Sequence, residues 1–275
     1  MENFERPPQF ISKQENPNTE MPAKKTGGII RNFIEKKSLR KRQEEIEFQE
    51  MTYGDYDSEF WHFGAYFVEC LPEEYKLKGG TDGFKSYIEN TLSQGKIANE
   101  EKNKLTAVEF GGPGSKFFRG FSNDFFKKTV GGCLADIRGT KIEDSRLNHY
   151  VVAGDVLGAE SNKTLNEVKV TLETNKVDLI ISRMQGALNK MNIIFLLDNA
   201  VKEWYNLLNE NGIMFIQYCY AHSVDKREDN VTRKCIEFIK EKYPELDIQQ
   251  GPGVMRLHKN LNAPEQLPKD TRFFT

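Results

Sequence analysis

Two short strand-like runs, 246–250 and 254–258, are separated only by Gly251-Pro252-Gly253. They must pair antiparallel, because a parallel pair needs a crossover of about a dozen residues or more. Upstream, from residue 105, the pattern is strand alternating with helix. Apolar or β-branched runs at 105–110, 129–137, 150–153, 177–181 and 213–218 read as strands, the second weakened by Gly131 and Gly132. Between them lie helical stripes: Phe117, Phe121 and Phe125; Leu165, Val168 and Leu172; and Ile194, Leu197, Val201, Trp204 and Leu208, the last stopped by Asn211-Gly212. A further stripe, Val231, Cys235 and Phe238, precedes the final pair. Strand–helix alternation implies parallel strands joined by right-handed crossovers. The expected fold is therefore a doubly wound, mostly parallel α/β sheet ending in an antiparallel hairpin.

Ahead of this region the composition changes. Residues 1–28 hold few aliphatics and cannot bury enough apolar surface to offset their ordering entropy, so a disordered tail is expected. Residues 29–104 are expected to form a helical N-terminal extension or cap before a main domain at 105–275. Its first helix runs from basic (Lys36, Lys37, Arg40) to acidic (Glu44, Glu45, Glu47) and reads as a solvated helix rather than an anion-binding one. The following aromatics (Phe60, Trp61, Phe63, Tyr66, Phe67) read as a small core of their own, or as a cover for a ligand. His62 lies among them.

Charge and cysteine usage limit the function classes. The formal net charge of −2 gives no general attraction to nucleic acid or anionic lipid, so neither is indicated as a partner. Cys70, Cys133, Cys219 and Cys235 are scattered, with no C-x-x-C pair, so neither a disulfide framework nor a metal site is expected. No apolar run approaches the roughly 18 residues of a membrane span, nor does the N-terminus show a signal-peptide core. A cytoplasmic protein with reduced thiols is expected; its oligomeric state is left open.

The stretch 109–115, Glu109-Phe110-Gly111-Gly112-Pro113-Gly114-Ser115, reads as strand end, sharp turn and helix start. Glycines there let a ligand approach main-chain N–H groups without an intervening Cβ. Asp136 closes the second strand about 25 residues beyond Gly111, where an acid accepts hydrogen bonds from ribose hydroxyls. Asp155 closes the third. In such sheets ligands sit outside the carboxyl ends of the strands, which places these acids and the turn around one crevice. Taken singly, either aspartate reads more readily as an ordinary turn residue; together with the glycine turn, the functional reading prevails.

This constellation resembles the class I S-adenosylmethionine-dependent methyltransferases, a Rossmann-like family, over residues 105–259. Glu109 with the Gly-Gly-Pro-Gly-Ser turn is similar to the family's first motif. Asp136 falls at its ribose-binding acid, Asp155-Val156 at its adenine-flanking pair, and the terminal hairpin at its reversed last strand. Pro113 and Ser115 stand where that motif usually has glycines. The resemblance implies S-adenosylmethionine as cofactor, held by Glu109, Gly111, Gly112, Pro113, Gly114, Ser115, Asp136, Asp155, Val156 and Ser182. The chemistry agrees: a carboxylate before the turn repels pyrophosphate but accepts from a cationic amino-acid end. An NAD-dependent oxidoreductase is disfavoured on that ground. The expected activity is methyl transfer to a small-molecule acceptor. The alternative is a methyltransferase-like fold that binds a ligand or partner without turnover.

Catalytic residues are harder to name, because in-line displacement on an activated methyl group needs alignment more than a base. After the fourth strand, Ser182-Arg183-Met184 replaces the Asn/Asp-Pro-Pro-aromatic motif of amino-group methylating families, which disfavours that acceptor class. Arg183 reads as a clamp for an anionic group, or as a surface or capping arginine. Tyr218 and His222, after the fifth strand, are candidates for proton transfer or bystanders. His149 opens the third strand, away from the crevice, and is given no role.

Overall fold

The computed structural model describes residues 57–94, 105–133, 148–157, 160–183, 200–218 and 226–267, together with the helical positions Arg40 and Glu44. Two compact units divide the chain, Met1–Lys41 and Arg42–Thr275. Of the first, only Arg40 is described; the expected disordered tail lies outside the described residues.

The second unit contains a seven-stranded sheet. Its strands are β1 (Thr106–Phe110), β2 (Lys128–Cys133), β3 (His149–Ala153), β4 (Val177–Ser182), β5 (Leu208–Gln217), β6 (Asp247–Gly251) and β7 (Val254–His258). They lie in the order β3-β2-β1-β4-β5-β7-β6. The first five are parallel, whereas β7 runs antiparallel to both β5 and β6. β1 and β4 are buried along their whole length, as the continuous apolar runs require of strands covered on both faces. The fold is a Rossmann-like α/β sheet closed by an antiparallel hairpin.

One face is covered by α5 (Ser161–Leu172), a π-helical turn (Ala200–Trp204) and α6 (Lys226–Lys242). Leu165, Val168, Leu172 and Trp204 from these elements are buried with Val108, Ile180 and Met214 of the sheet. The opposite face is covered by helices that precede the sheet in sequence: α1 (Phe60–Phe67), a 3-10 turn (Val68–Cys70), α2 (Glu73–Lys76) and α3 (Gly80–Gln94). Phe60, Phe63, Phe67, Phe84 and Tyr87 share one cluster with Phe117, Leu179, Ile181, Ile213 and Phe215. Rings from α1 and α3 pack on Phe215 of β5, Phe67 at 5.2 Å and Phe84 at 5.1 Å between centroids. These aromatics therefore do not form a core of their own. They are the second outer layer of the sandwich.

Two local expectations are corrected. The Phe117/Phe121/Phe125 stripe is not one helix face, because α4 (Ser115–Phe118) ends after one turn. Ser122-Asn123-Asp124 takes the chain into a turn, with the Phe125 N–H bonded to the Ser122 carbonyl. The rings still meet, Phe121 stacking on Phe125 at 5.2 Å. Asn211-Gly212 is not a helix stop either. Leu208 already belongs to β5, and Asn211, at φ 65°, kinks that strand while its N–H bonds to the Lys259 carbonyl.

The hairpin is fastened to the N-terminal helices by Arg256, which is 1% exposed. Its guanidinium donates to both carboxylate oxygens of Asp247, at 2.6 and 2.8 Å, to the Cys70 carbonyl at 3.0 Å and to the Tyr87 hydroxyl. Burial works to raise the Asp247 carboxyl, but bonds from His258 and Arg256 outweigh it and hold it well below the usual range. A depressed folded-state pKa contributes stability that is present above about pH 4 and lost as acid protonates the folded carboxylate. Asp247→Asn is therefore expected to cost about 1–2 kcal/mol at pH 7, below the value for a fully buried pair because Asp247 stays 44% exposed. The gap to wild type should be smaller at pH 2 than at pH 7, narrowing as pH falls from the unfolded value toward the folded one. Urea denaturation at both pH values measures it, and a pH-independent gap would contradict the ion-pair assignment.

Candidate functional site at the carboxyl end of β1

Parallel strands put the carboxyl ends of β1, β2 and β3 along one edge, in matched register: Glu109 lies opposite Gly131, and Gly131 opposite Val151. The turn after β1 doubles back over β2. Gly111 donates its N–H to the Gly132 carbonyl at 3.0 Å. The Pro113 carbonyl lies on Gly131 so closely that a Cβ there would stand 1.8 Å from its oxygen. Gly131, a weakness in β2 on propensity alone, is what lets the turn seat on the strand, while Gly132 leaves room for the Phe110 ring.

His149 holds the same carbonyl. Its Nε2 lies 2.7 Å from the Pro113 oxygen, and Nδ1 lies 2.8 Å from the Thr129 hydroxyl. A carbonyl only accepts, so Nε2 carries the hydrogen and donates. The expectation that His149 has no part near the turn is thus corrected: from the start of β3 its side chain braces the turn. Gly114 follows at φ 79°, a left-handed conformation that favours glycine, and a Cβ there would lie 3.1 Å from a Glu109 carboxylate oxygen.

Glu109 is fully buried, and neither of its oxygens has a hydrogen-bond partner among the described residues. Burial, then the neighbouring Asp57 carboxyl, push it well above the usual carboxylate range, while the Arg183 cation pulls the other way. An unpaired buried acid is costly to a fold and needs an explanation outside the fold.

Asp57, missed from the sequence, stands beside it. From the segment ahead of α1 it accepts a hydrogen bond from Ser115 Oγ at 2.5 Å and from the Lys116 N–H at 2.9 Å. Nothing in its local sequence marks it. The contact spans 58 residues, and only the position of α1 on the sheet creates it.

The remaining expected residues divide. Ser182, at the end of β4 opposite Phe110, is buried with no partner for its hydroxyl among the described residues. Asp155, two residues past β3, is half-buried at the same edge. Val156 is packed into the core, and its carbonyl accepts from the Trp204 indole at 3.1 Å. Gly112 and Pro113 are buried in the turn. Asp136 and His222 lie outside the described residues.

Arg183 is not a surface arginine. It is 6% exposed and donates to Ser58 Oγ at 2.7 Å and to Gln217 Oε1 at 3.3 Å. Its guanidinium sits over the rings of Phe63 and Tyr66, 5.4 and 5.3 Å from their centroids. Burial, then this same cation, push His62 of α1 down. The Tyr218 hydroxyl is likewise engaged, donating to the Gly251 carbonyl at 3.2 Å and accepting from Gln250 at 2.8 Å.

A cavity of about 560 Å³ lies at the other end of the strands, lined by Asn162, Asn166, Lys169, Lys176, Lys202 and Asn206 among others. It is separate from the turn. Among the described residues no three His, Cys, Asp or Glu side chains are grouped to hold a metal ion. No helix among them is long and apolar enough to cross a membrane.

No family model and no curated protein matches the sequence. Solved structures with a similar chain course include human methyltransferase-like protein 13 in complex with SAH. It is 13% identical with a TM-score of 0.37, over 72% of this chain and 86% of that one. A putative SAM-dependent methyltransferase from Streptococcus mutans is 14% identical with a TM-score of 0.33, over 62% and 48%. Haemonchus contortus phosphoethanolamine N-methyltransferase 2, in complex with phosphomonomethylethanolamine and S-adenosylhomocysteine, is 12% identical with a TM-score of 0.30, over 65% and 47%. This chain spans about half the length of the latter two.

Proposed function

We propose that the protein is an S-adenosylmethionine-dependent methyltransferase acting on a small-molecule acceptor. The observation that carries the reading is Glu109: a buried carboxyl group with no hydrogen-bond partner among the described residues, set at the end of β1 directly before a glycine turn. Such a group suits a ligand that brings its own cation. The ammonium of the cofactor's amino-acid end meets that need, directly or through water, whereas a pyrophosphate would be repelled. The strand order, with a reversed β7 inserted between β5 and β6, is consistent with the same reading.

In this reading Glu109 takes the ammonium, and the Gly111–Ser115 main chain lies along the amino-acid end. Asp136 and Asp155 take the ribose and adenine, and Ser182 lies at the neighbouring strand tip. When bound, the cofactor supplies a methyl group activated by its sulfonium. The chain's own residues orient the acceptor and exclude water; they need not move a proton. Localisation in the cytoplasm belongs to the same proposal.

One observation favours the alternative of binding without turnover: Arg183 and Tyr218, both considered for chemistry, are committed to holding the fold together. Calorimetry with S-adenosylmethionine, S-adenosylhomocysteine and NAD separates the readings. Binding of the first two without NAD is expected. NAD binding alone would overturn the methyl-donor assignment, and methyl consumption across an acceptor panel distinguishes enzyme from binding protein.

A further inference from the structure

Resting on the methyl-donor reading of the β1 tip, we infer that Asp57 is a positioning residue of that site. From the segment ahead of α1 its carboxylate fixes the glycine turn through Ser115 and Lys116, and its charge governs how Glu109 receives the ligand's ammonium.

The two carboxyl groups have opposite surroundings. Burial raises both carboxyl groups, but Asp57, 6% exposed, accepts two hydrogen bonds and faces the cations Lys116 and Arg119, all of which work against that rise. Glu109 is fully buried and accepts none among the described residues. Donors aimed at a carboxylate favour its charged form, and an adjacent like charge disfavours a second ionisation. The negative charge therefore resides on Asp57, and Glu109 carries a proton while the site is empty. Two other titratable groups face Glu109 from the described elements. Arg183, at the end of β4, favours the carboxylate but is held by Ser58 and Gln217. Cys133, at the end of β2, has its thiol raised by burial and then by the two carboxyl groups, so it stays neutral.

An arriving ammonium changes the balance. Glu109 gives up its proton to solvent, and the carboxylate so formed accepts from the ammonium N–H. No other group is consumed. Binding and proton release are thereby linked, and affinity falls as pH drops below the point where the empty site ionises. Asp57 keeps that point high. A side chain that retains the acceptor oxygen but loses the charge moves it down.

The test is calorimetric titration of S-adenosylhomocysteine between pH 5 and 8, in buffers of different ionisation enthalpy. Wild-type protein should release a proton on binding. In Asp57→Asn the midpoint of the affinity-against-pH curve should move about one unit lower. Ser115→Ala loses a contact to Asp57 but leaves its charge, so affinity should weaken with the midpoint in place. Equal midpoints in wild type and Asp57→Asn would overturn the inference, as would an equal shift in Ser115→Ala. If Asp57→Asn does not fold, the wild-type proton count decides, and binding with no proton released at any pH overturns it. Failure of every form to bind at any pH would instead overturn the methyl-donor reading itself.

Discussion

Glu109→Gln is expected to weaken S-adenosylhomocysteine binding by about 2–3 kcal/mol, or 30- to 150-fold, while making the ligand-free protein more stable at alkaline pH. The first effect follows from losing the carboxyl group that becomes an anion opposite the ammonium. The second follows from the sign of the linkage. The acid is raised in the folded state, so the unfolded chain ionises first, and wild-type stability declines as pH rises from about 4.5 toward the folded value. A neutral amide removes that decline. The gain should be smallest at pH 5 and larger at pH 8, growing by at most about 1.4 kcal/mol per pH unit and read as a rise in melting temperature. Thermal melts across pH, paired with calorimetry, read both effects. Unchanged affinity would take Glu109 out of the site. A gain equal at both pH values would mean that the carboxyl is not the unpaired acid described.

Gly131→Ala should have the larger effect on the fold. The new methyl would sit 1.8 Å from the Pro113 carbonyl oxygen and 2.3 Å from its carbon. Backbone cannot rotate aside as a side chain can, and His149 and Gly132 already hold this turn in place. The turn must lift off β2, taking the Glu109–Gly114 contact with it. A cost of about 3 kcal/mol or more is expected, with loss of ligand binding. Gly80→Ala is the comparison: a Cβ there meets nothing closer than 3.6 Å, and its stability should stay within about 0.5 kcal/mol of wild type. Similar denaturation midpoints for the two variants would mean that the turn does not rest on β2.

β1, β3, β4 and the second half of β5 were legible because each is a short apolar or β-branched run bounded by polar or glycine-rich residues, and the closing hairpin because three residues allow only one pairing sense. The limits had physical causes. Asn211-Gly212 carries the signature of a helix end, yet tertiary bonds from Asn211 to Thr91, His258 and Lys259 make it a kink inside β5. The aromatic spacing of α1 shows a buried stripe without showing what buries it, so its place on the sheet was not readable. Around the glycine turn, Glu109 could be singled out because it is adjacent to the motif. Asp57 and His149 could not, because one acts across 58 residues and the other through a ring nitrogen reaching over a neighbouring strand. Pro113, which has no N–H to donate, contributes its carbonyl instead.

The phenylalanine face of α1 and α3 is translated well before the strands that bury it. Phe67 and Phe84 wait for Phe215, and their helices are latched only when Arg256 arrives. Until then the aromatic flank has only its own rings and Phe117 to pack against, leaving uncovered the side that β5 later closes, a surface of the kind that invites aggregation during synthesis.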